Sequence, residues 1–479
     1  MISEFFREQK RYSQKELCVL LDCSSEKVVS IIKKLKEFGV LKSVHASDEQ
    51  REMSELIEKD IEITDVEVDE NELLYVFTFV GVIVVGQRVL KCYPKYILKN
   101  KQPEKELKEI IKVLEKFNSK EQIIRMINES SEGSSFNILA VLLFLIQDYF
   151  ENGIYSNSEM VIESNGTGEI LWDKTINDSF AVLSDCRPYY VDLQTKKRIE
   201  NEYDYFRRLH ECVLSKASKE LREAGLLDLF GITEIDLSDE NMDEFGEDDY
   251  ILYRINNELN VQFNTRKQLV LKTLYTYISH KGGLYDSECF SMFGTNSFNL
   301  VWERVCADIL NNQLDSELKE LHLPDQVFKK HPKIQKLREL IEKPFWSATG
   351  MRADDTLIPD IVTIKDGKFF IFDAKYYNTR LENGKSPACQ PGIESVIKQY
   401  LYQLAYRDFI TDVGITCVEN CFLLPIEDQQ EKAIDKGYVS LGFLNTLGLA
   451  DIKIRYISAT TAYNCYLTGK DFDISLLRL

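Results

Sequence analysis

The 479-residue sequence has no apolar run long enough to cross a bilayer. Its longest, Ile138 to Ile146, falls well short of the roughly 20 residues that a spanning helix needs, and reads as a core helix. No apolar stretch follows a basic start, so a secretory leader is not expected. Histidine is scarce, at five residues, and although Cys417 and Cys421 are four apart, no second pair or nearby histidine completes a zinc set. Eleven cysteines at scattered spacings suit reduced, buried thiols in a cytoplasmic protein. No segment recurs at a fixed period. An excess of positive charge is also missing: 78 acidic against 59 basic residues leave a formal net charge of −19. Free-standing DNA-binding proteins are usually basic, because phosphate neutralisation supplies most of their affinity. The balance argues against autonomous DNA binding and leaves two routes to DNA, a local basic surface or a partner subunit.

What is present is an ordinary globular composition, 44% hydrophobic and 29% charged, in a chain too long for one core. The expected fold class is α/β and multidomain, with a winged helix at residues 1–50, a β-rich middle region with helices at 51–240 and a mixed α/β domain at 250–479. In the first part Ser13 can cap a helix through Glu16, Leu17, Leu20 and Leu21. Ser24 or Ser25 can cap a second, with Val28, Val29, Ile32 and Leu35 on its apolar face. Phe38-Gly39-Val40-Leu41 ends that helix and starts a strand. Lys27, Lys33, Lys34 and Lys36 suit a recognition helix, or the unit serves protein contacts. Residues 46–70 are acidic and suit a linker. Leu73 to Ile97 is β-rich, with Gly86-Gln87 as a turn. Residues 104–151 read as helices and Met160 to Tyr190 as strands. The acidic cluster at 234–249 suits an exposed loop and a domain boundary.

The last part carries the chemistry. Ile358-Pro359-Asp360-Ile361-Val362-Thr363-Ile364 is followed by Lys365-Asp366-Gly367-Lys368 and then by Phe369-Phe370-Ile371-Phe372-Asp373-Ala374-Lys375. Asp-Gly between two β-rich runs is the strongest short hairpin signal. With Asp366 and Gly367 as the turn, Lys365 pairs with Lys368. Equal steps outward then set Asp360 opposite Asp373, with Cβ atoms roughly 5 Å apart. Lys375 shares that face. Opposed carboxylates repel, and apolar neighbours make their burial costlier. A divalent cation removes the conflict, and oxygen donors in a small site suit Mg²⁺, with Mn²⁺ able to take its place. Lys375 would orient the nucleophile or stabilise transition-state charge. The alternative is a surface hairpin whose Asp373 and Lys375 only solvate an edge.

Neighbouring elements add candidates. Glu303 shares a helical stripe with Leu300, Ala307 and Leu310, and an acid there needs a partner. That partner is either the metal, through water, or Arg304 or a later lysine. Gln399 and Gln403, one turn apart on a helix from Ser395 to Tyr406, either hold the DNA backbone or the attacking water, or cap and solvate the helix. Lys329, Lys330, Lys333 and Lys336, with Arg338, form a basic run suited to phosphate contact or to plain solvation.

Taken together, Pro359-Asp360 and Asp373-Ala374-Lys375-Tyr376, preceded by Phe298, Val301, Trp302 and Glu303 and followed by Lys398, Gln399, Tyr400, Tyr402, Gln403 and Leu404, resemble the LlaJI-type restriction endonucleases, which are related to McrC. Phe79 to Ile83, Cys92 to Tyr96 and Gly168 to Ile176 look like further family blocks, so the resemblance spans roughly Leu73 to the C-terminus. It implies a PD-(D/E)xK nuclease domain at 250–479. It also implies a metal-dependent endonuclease subunit of an anti-phage restriction system, hydrolysing phosphodiester bonds of double-stranded DNA with an McrB-like AAA+ GTPase or ATPase. The middle region would dock that partner, and homo-oligomers would be compatible with the scheme. Asp360, Asp373 and Lys375 carry over as catalytic positions, joined by Glu303 and Gln399. The metal falls to Asp360, Asp373, Ala374 and Glu303. The competing reading is a winged-helix DNA-binding or adaptor protein whose nuclease-like domain is only a scaffold. The intact Asp360, Asp373, Lys375 set separates the two.

Overall fold

The computed structural model describes residues 2–45, 73–118, 137–200, 203–280, 283–284, 290–321, 323–330, 332, 334–381, 384–427 and 432–479. The chain is mixed α/β and divides into two compact units: a larger one from Ile2–Gln122 and Met292–Leu479, and a smaller one from Ile123–Ser291. This division differs from three consecutive spans. Pairing between strands far apart in the chain, which residue patterns do not reveal, binds the N-terminal segment to the C-terminal one.

Strands β1 (Ile2–Arg7) and β2 (Arg11–Ser13) open the larger unit. Ser13 then caps the helix Gln14–Leu20 as anticipated, its hydroxyl accepting from the Glu16 N–H while the Glu16 carboxylate accepts from the Ser13 N–H. The second helix, Ser25–Glu37, buries Val28, Ile31, Ile32 and Leu35, while Val29 is exposed. Gly39, at φ +66°, releases the chain into β3 (Leu41–His45). Together with β4 (Leu73–Phe77), β2 and β3 form an antiparallel sheet in the order β2-β4-β3. The linker expected at 46–70 lies outside the described residues. β5 (Val80–Val85) and β6 (Arg88–Tyr93) make a hairpin turned by Gly86-Gln87. β1 lies parallel to β6, a pairing the sequence reading did not anticipate. Burial of every β5 residue accounts for its unbroken apolar run. The helix Glu104–Phe117 follows.

The smaller unit holds the helices Ile138–Asn152, Tyr205–Glu223, Asp248–Val261 and Thr265–Ser279. Its strands are β7 (Ser158–Ser164), β8 (Glu169–Ile170), β9 (Ala181–Ser184), β10 (Arg187–Tyr190) and β11 (Gln194–Glu200). β7, β11 and β8 form one small sheet, and β9 and β10 a hairpin. The acidic cluster at 234–249 lies inside this unit rather than at its boundary. Glu234 pairs with Arg222, Glu240 pairs with Arg208, and Ile235 is buried.

The C-terminal segment completes the larger unit. β12 (Phe290–Thr295) joins the first sheet, whose order is β1-β6-β5-β12. The helix Phe298–Ile309 and the helix Asp325–Lys330 follow, then a short hairpin of β13 (Phe345–Trp346) and β14 (Met351–Arg352). The main sheet is built from β15 (Ile361–Lys365), β16 (Lys368–Ala374), β17 (Cys417–Ile426), β18 (Ala433–Val439) and β19 (Ile452–Ser458), in the order β15-β16-β17-β19-β18. Its three central strands are parallel and its edge strands antiparallel to them. The helix Ile393–Ala405 packs on β16 and β17, and Phe298–Ile309 packs on β16 and on the helices Glu104–Phe117 and Ala459–Thr468. Trp302, fully buried, donates its indole N–H to the Leu423 carbonyl at 3.3 Å and so pins that helix to β17. Among the described residues no helix is long and apolar enough to cross a membrane.

Candidate active site

The site grows from the β15–β16 hairpin. Asp366 and Gly367 take φ of +51° and +73°, the left-handed pair that a type I′ turn requires. The ladder runs from Lys365↔Lys368 to Ile361↔Phe372. One step further stand Asp360 and Asp373. Asn312 fixes the incoming strand from both sides, its amide donating to the Asp360 carbonyl at 3.0 Å and its Oδ1 accepting from the Val362 N–H at 3.1 Å.

Asp360 Oδ2 accepts from the Ala374 N–H at 3.0 Å, which draws its side chain across to the end of β16. Asp373 is only 4% exposed. Burial first, then the hydrogen bond to Asp373 and its charge, push the Asp360 carboxyl up to about 8. Lys375 Nζ stands 3.0 Å from Asp373 Oδ2. The other oxygen of Asp373, Oδ1, is buried with no hydrogen-bond partner.

Glu303, half-buried on the helix Phe298–Ile309, feels the same groups. Burial raises its carboxyl, Lys375 pulls it down and Asp373 raises it again. Arg304 turns instead to Asp308, at 3.1 Å. Among the described residues no group of three or more His, Cys, Asp and Glu side chains is gathered tightly enough to hold a metal ion. The close carboxylate pair is therefore Asp360 and Asp373, with Glu303 outside it.

The two amides lie elsewhere than at a solvent-facing surface. Gln399 is fully buried, donating to the Ile371 carbonyl at 3.1 Å, while its Oε1 finds no donor. Gln403 is also buried, and its Oε1 accepts from the Asn420 amide at 3.3 Å and the Ala450 N–H at 3.0 Å. In the basic run Lys329 is exposed. Lys330 pairs with Asp412, and Lys336 and Arg338 converge on Asp315 at 3.6 and 3.0 Å. Lys333 lies outside the described residues.

One contact network was not foreseen. The Tyr376 hydroxyl, directly after Lys375, donates to the Glu8 carboxylate, which also accepts from the Lys95 N–H at 3.2 Å. The Lys95 ammonium lies 4.6 Å from the centre of the Tyr376 ring. Glu8 is 1% exposed and its carboxyl is raised by burial. The one signal available was an acid between the aromatic Phe5-Phe6 and Tyr12, with no marker of its distant partner.

Fold and site define a mixed α/β protein whose main sheet ends in an acid–acid–lysine centre. The model of the LlaJI restriction endonuclease family matches residues 79–460, and the chain belongs to that family. It is also similar to the type II restriction enzyme BsuMI component YdjA of Bacillus subtilis (strain 168), at 28% identity over 407 residues, covering 83% of this chain and 82% of that protein. A chain of a Thermococcus gammatolerans assembly of McrB AAA+ hexamers with bound McrC superposes over 98% of this chain and 99% of its own length, at 12% identity and a TM-score of 0.36. A chain of the McrBC complex of the same organism covers 63% of this chain and 85% of its own length, at 13% identity and a TM-score of 0.25.

Proposed function

We propose that this chain is the nuclease subunit of a DNA restriction system, a PD-(D/E)xK phosphodiester hydrolase acting on double-stranded DNA with an AAA+ GTPase or ATPase subunit. The convergence of Asp360, Asp373 and Lys375 at the end of β16 carries the reading. The residues fit a divalent cation. A buried carboxylate oxygen without a donor, beside a second carboxyl raised by burial and by its acidic neighbour, is a hard-oxygen pair suited to Mg²⁺ or Mn²⁺. Asp360, Asp373 and the Ala374 main chain would hold the ion, with Glu303 in an outer position. When bound, it would supply charge neutralisation and Lewis-acid activation of the phosphate.

The chain's own groups do the rest. Lys375 Nζ stands 3.0 Å from Asp373 Oδ2, in place to orient an attacking oxygen or to balance charge developing on the phosphoryl group. Glu303, its carboxyl raised by burial, stands near that lysine, where it can take up or return a proton. The Asn312 clamp and the Trp302 anchor keep the strand and helix bearing these groups in place.

Partnership has separate support. The Bacillus relative is named as one component of an enzyme. The smaller unit exposes Phe180, Val182, Leu183, Tyr189 and Val191 on and beside its β9–β10 hairpin, apolar side chains suited to a protein partner. The two helices and the β2-β4-β3 sheet fit a winged helix, with Lys27 and Lys33 exposed on the second helix for DNA or protein contact. Such a protein would act in the cytoplasm, where the DNA and nucleotide are.

The test is cleavage of supercoiled plasmid by the purified chain with its AAA+ subunit, nucleotide and Mg²⁺. Nicking or linearisation that EDTA abolishes is expected. A complete lack of cutting across diverse DNAs, with the two subunits bound to each other, would overturn the proposal.

A further inference from the structure

The β13–β14 hairpin is unlike the rest of the larger unit. Phe345 pairs with Arg352 and Trp346 with Met351, around a slim tip of Ser347-Ala348-Thr349-Gly350. Neighbouring strand residues point to opposite faces, so each face carries an aromatic ring. Phe345 is 61%, Trp346 62% and Met351 70% exposed, so neither face is covered. Burial does not account for these side chains, and a two-stranded hairpin gains little stability from rings left in water.

The hairpin is nonetheless well tied at its base. The Ala353 N–H donates to the Pro344 carbonyl at 2.8 Å, the Arg352 guanidinium to the Lys343 carbonyl at 2.8 Å, and the Thr356 hydroxyl to the Glu342 carbonyl at 2.7 Å. Thr356 is four residues before Asp360, so its Cα stands within about 14 Å of the Asp360 Cα. From Lys343 to Arg352 the segment carries two cations and no acid, in a chain of net charge −19; Glu342, Asp354 and Asp355 all fall at the base.

We propose that the β13–β14 hairpin is a DNA-contacting wedge that seats Phe345 and Trp346 against the bases of the DNA held at the Asp360–Asp373 centre. The proposal rests on the nuclease reading. Its chemistry is that of a nucleic-acid element. Aromatic and methionine side chains stack on bases or part a base step, a narrow tip with Ser347 and Thr349 hydroxyls can enter a groove, and exposed Lys343 is available to a phosphate, while Arg352 holds the base through the Lys343 carbonyl and Glu342, at 3.6 Å. A protein partner could also cover apolar side chains. The acid-free tip and the short tether to Asp360 favour DNA.

The full-length chain is compared with Phe345→Ser/Trp346→Ser and with Trp346→Phe, each with its AAA+ subunit. Ca²⁺ replaces Mg²⁺ to permit binding without cutting. A duplex carrying 2-aminopurine reports both affinity and base unstacking. The double variant should bind DNA on the order of ten- to a hundredfold more weakly and lose the 2-aminopurine signal. Trp346→Phe should keep most of both. Thermal stability, Mn²⁺ binding and subunit association should match wild type. Unchanged DNA affinity and signal in the double variant, with wild type still cutting, would overturn the wedge and leave the nuclease reading standing. Loss of subunit association with DNA affinity intact would overturn it in favour of a protein interface. Wild type that neither binds nor cuts DNA would overturn both.

Discussion

Asp373 Oδ1 is buried without a donor, and the carboxyl beside it, Asp360, is raised to about 8 by burial first and then by the hydrogen bond and charge of Asp373. The arrangement is strained at rest and suits a cation. Asp360→Asn should therefore stabilise the metal-free protein, since the amide would donate to Asp373 while its oxygen keeps the Ala374 N–H. The gain should be on the order of 1 kcal/mol, and Mn²⁺ binding should be lost. Calorimetry without and with Mn²⁺ measures both; a lower melting temperature with metal binding intact would contradict it. His210 gives a second residue-scale expectation. Fully buried, it accepts from the Tyr155 N–H at 3.0 Å, and burial followed by the Arg266 charge lowers its pKa to about 3. The folded value lies below the unfolded one, so stability is full above 6.5 and is lost as pH falls from there towards 3. His210→Asn should flatten that acid slope in melting temperature; superposable slopes would count against it. Asp360, Asp373 and Lys375 were legible in the sequence because a two-residue turn sets their register locally. Gln399 and Gln403 looked the same on a helix wheel whether their face turned outward or inward. Only the packing of Ile371, Asn420 and Ala450 against them decides.

At the scale of elements, the capped first helix and the Asp-Gly hairpin could be read directly, since each signal lies within a few residues. The parallel pairing of β1 with β6, the β5–β12 contact and the Glu8–Tyr376 link could not, because their partners are remote in the chain. The β5–β12 contact has a glycine signature. Gly81, at φ +140°, lies where an added Cβ would meet the Phe293 carbonyl oxygen at 2.1 Å, and Gly294 faces the Val80 carbonyl oxygen at 2.2 Å in the same way. Gly81→Ala should cost on the order of 1–3 kcal/mol or more by overpacking. Gly225→Ala, where the φ is +66° but no atom lies within 4 Å, should cost less. Thermal melts of both variants check this, and equal costs would refute the close-approach argument.

For the whole molecule, a net charge of −19 and the burial of the Asp360–Asp373 pair fit the proposal that a second subunit brings the DNA. The chain alone should cut plasmid weakly or not at all, and efficient sequence-specific cutting without any partner would contradict that dependence. The deepest claim is narrower, that Asp373 holds a cation while Lys375 acts on the reacting groups. The most direct measurement takes wild type, Asp373→Ala and Lys375→Ala, each assembled with the AAA+ subunit, and follows Mn²⁺ binding and plasmid cleavage in parallel. Asp373→Ala should lose both. Lys375→Ala should still bind Mn²⁺, at least as tightly once a nearby positive charge is gone, while cleavage falls about a hundredfold or more. Normal cleavage by Lys375→Ala would contradict the account at its centre.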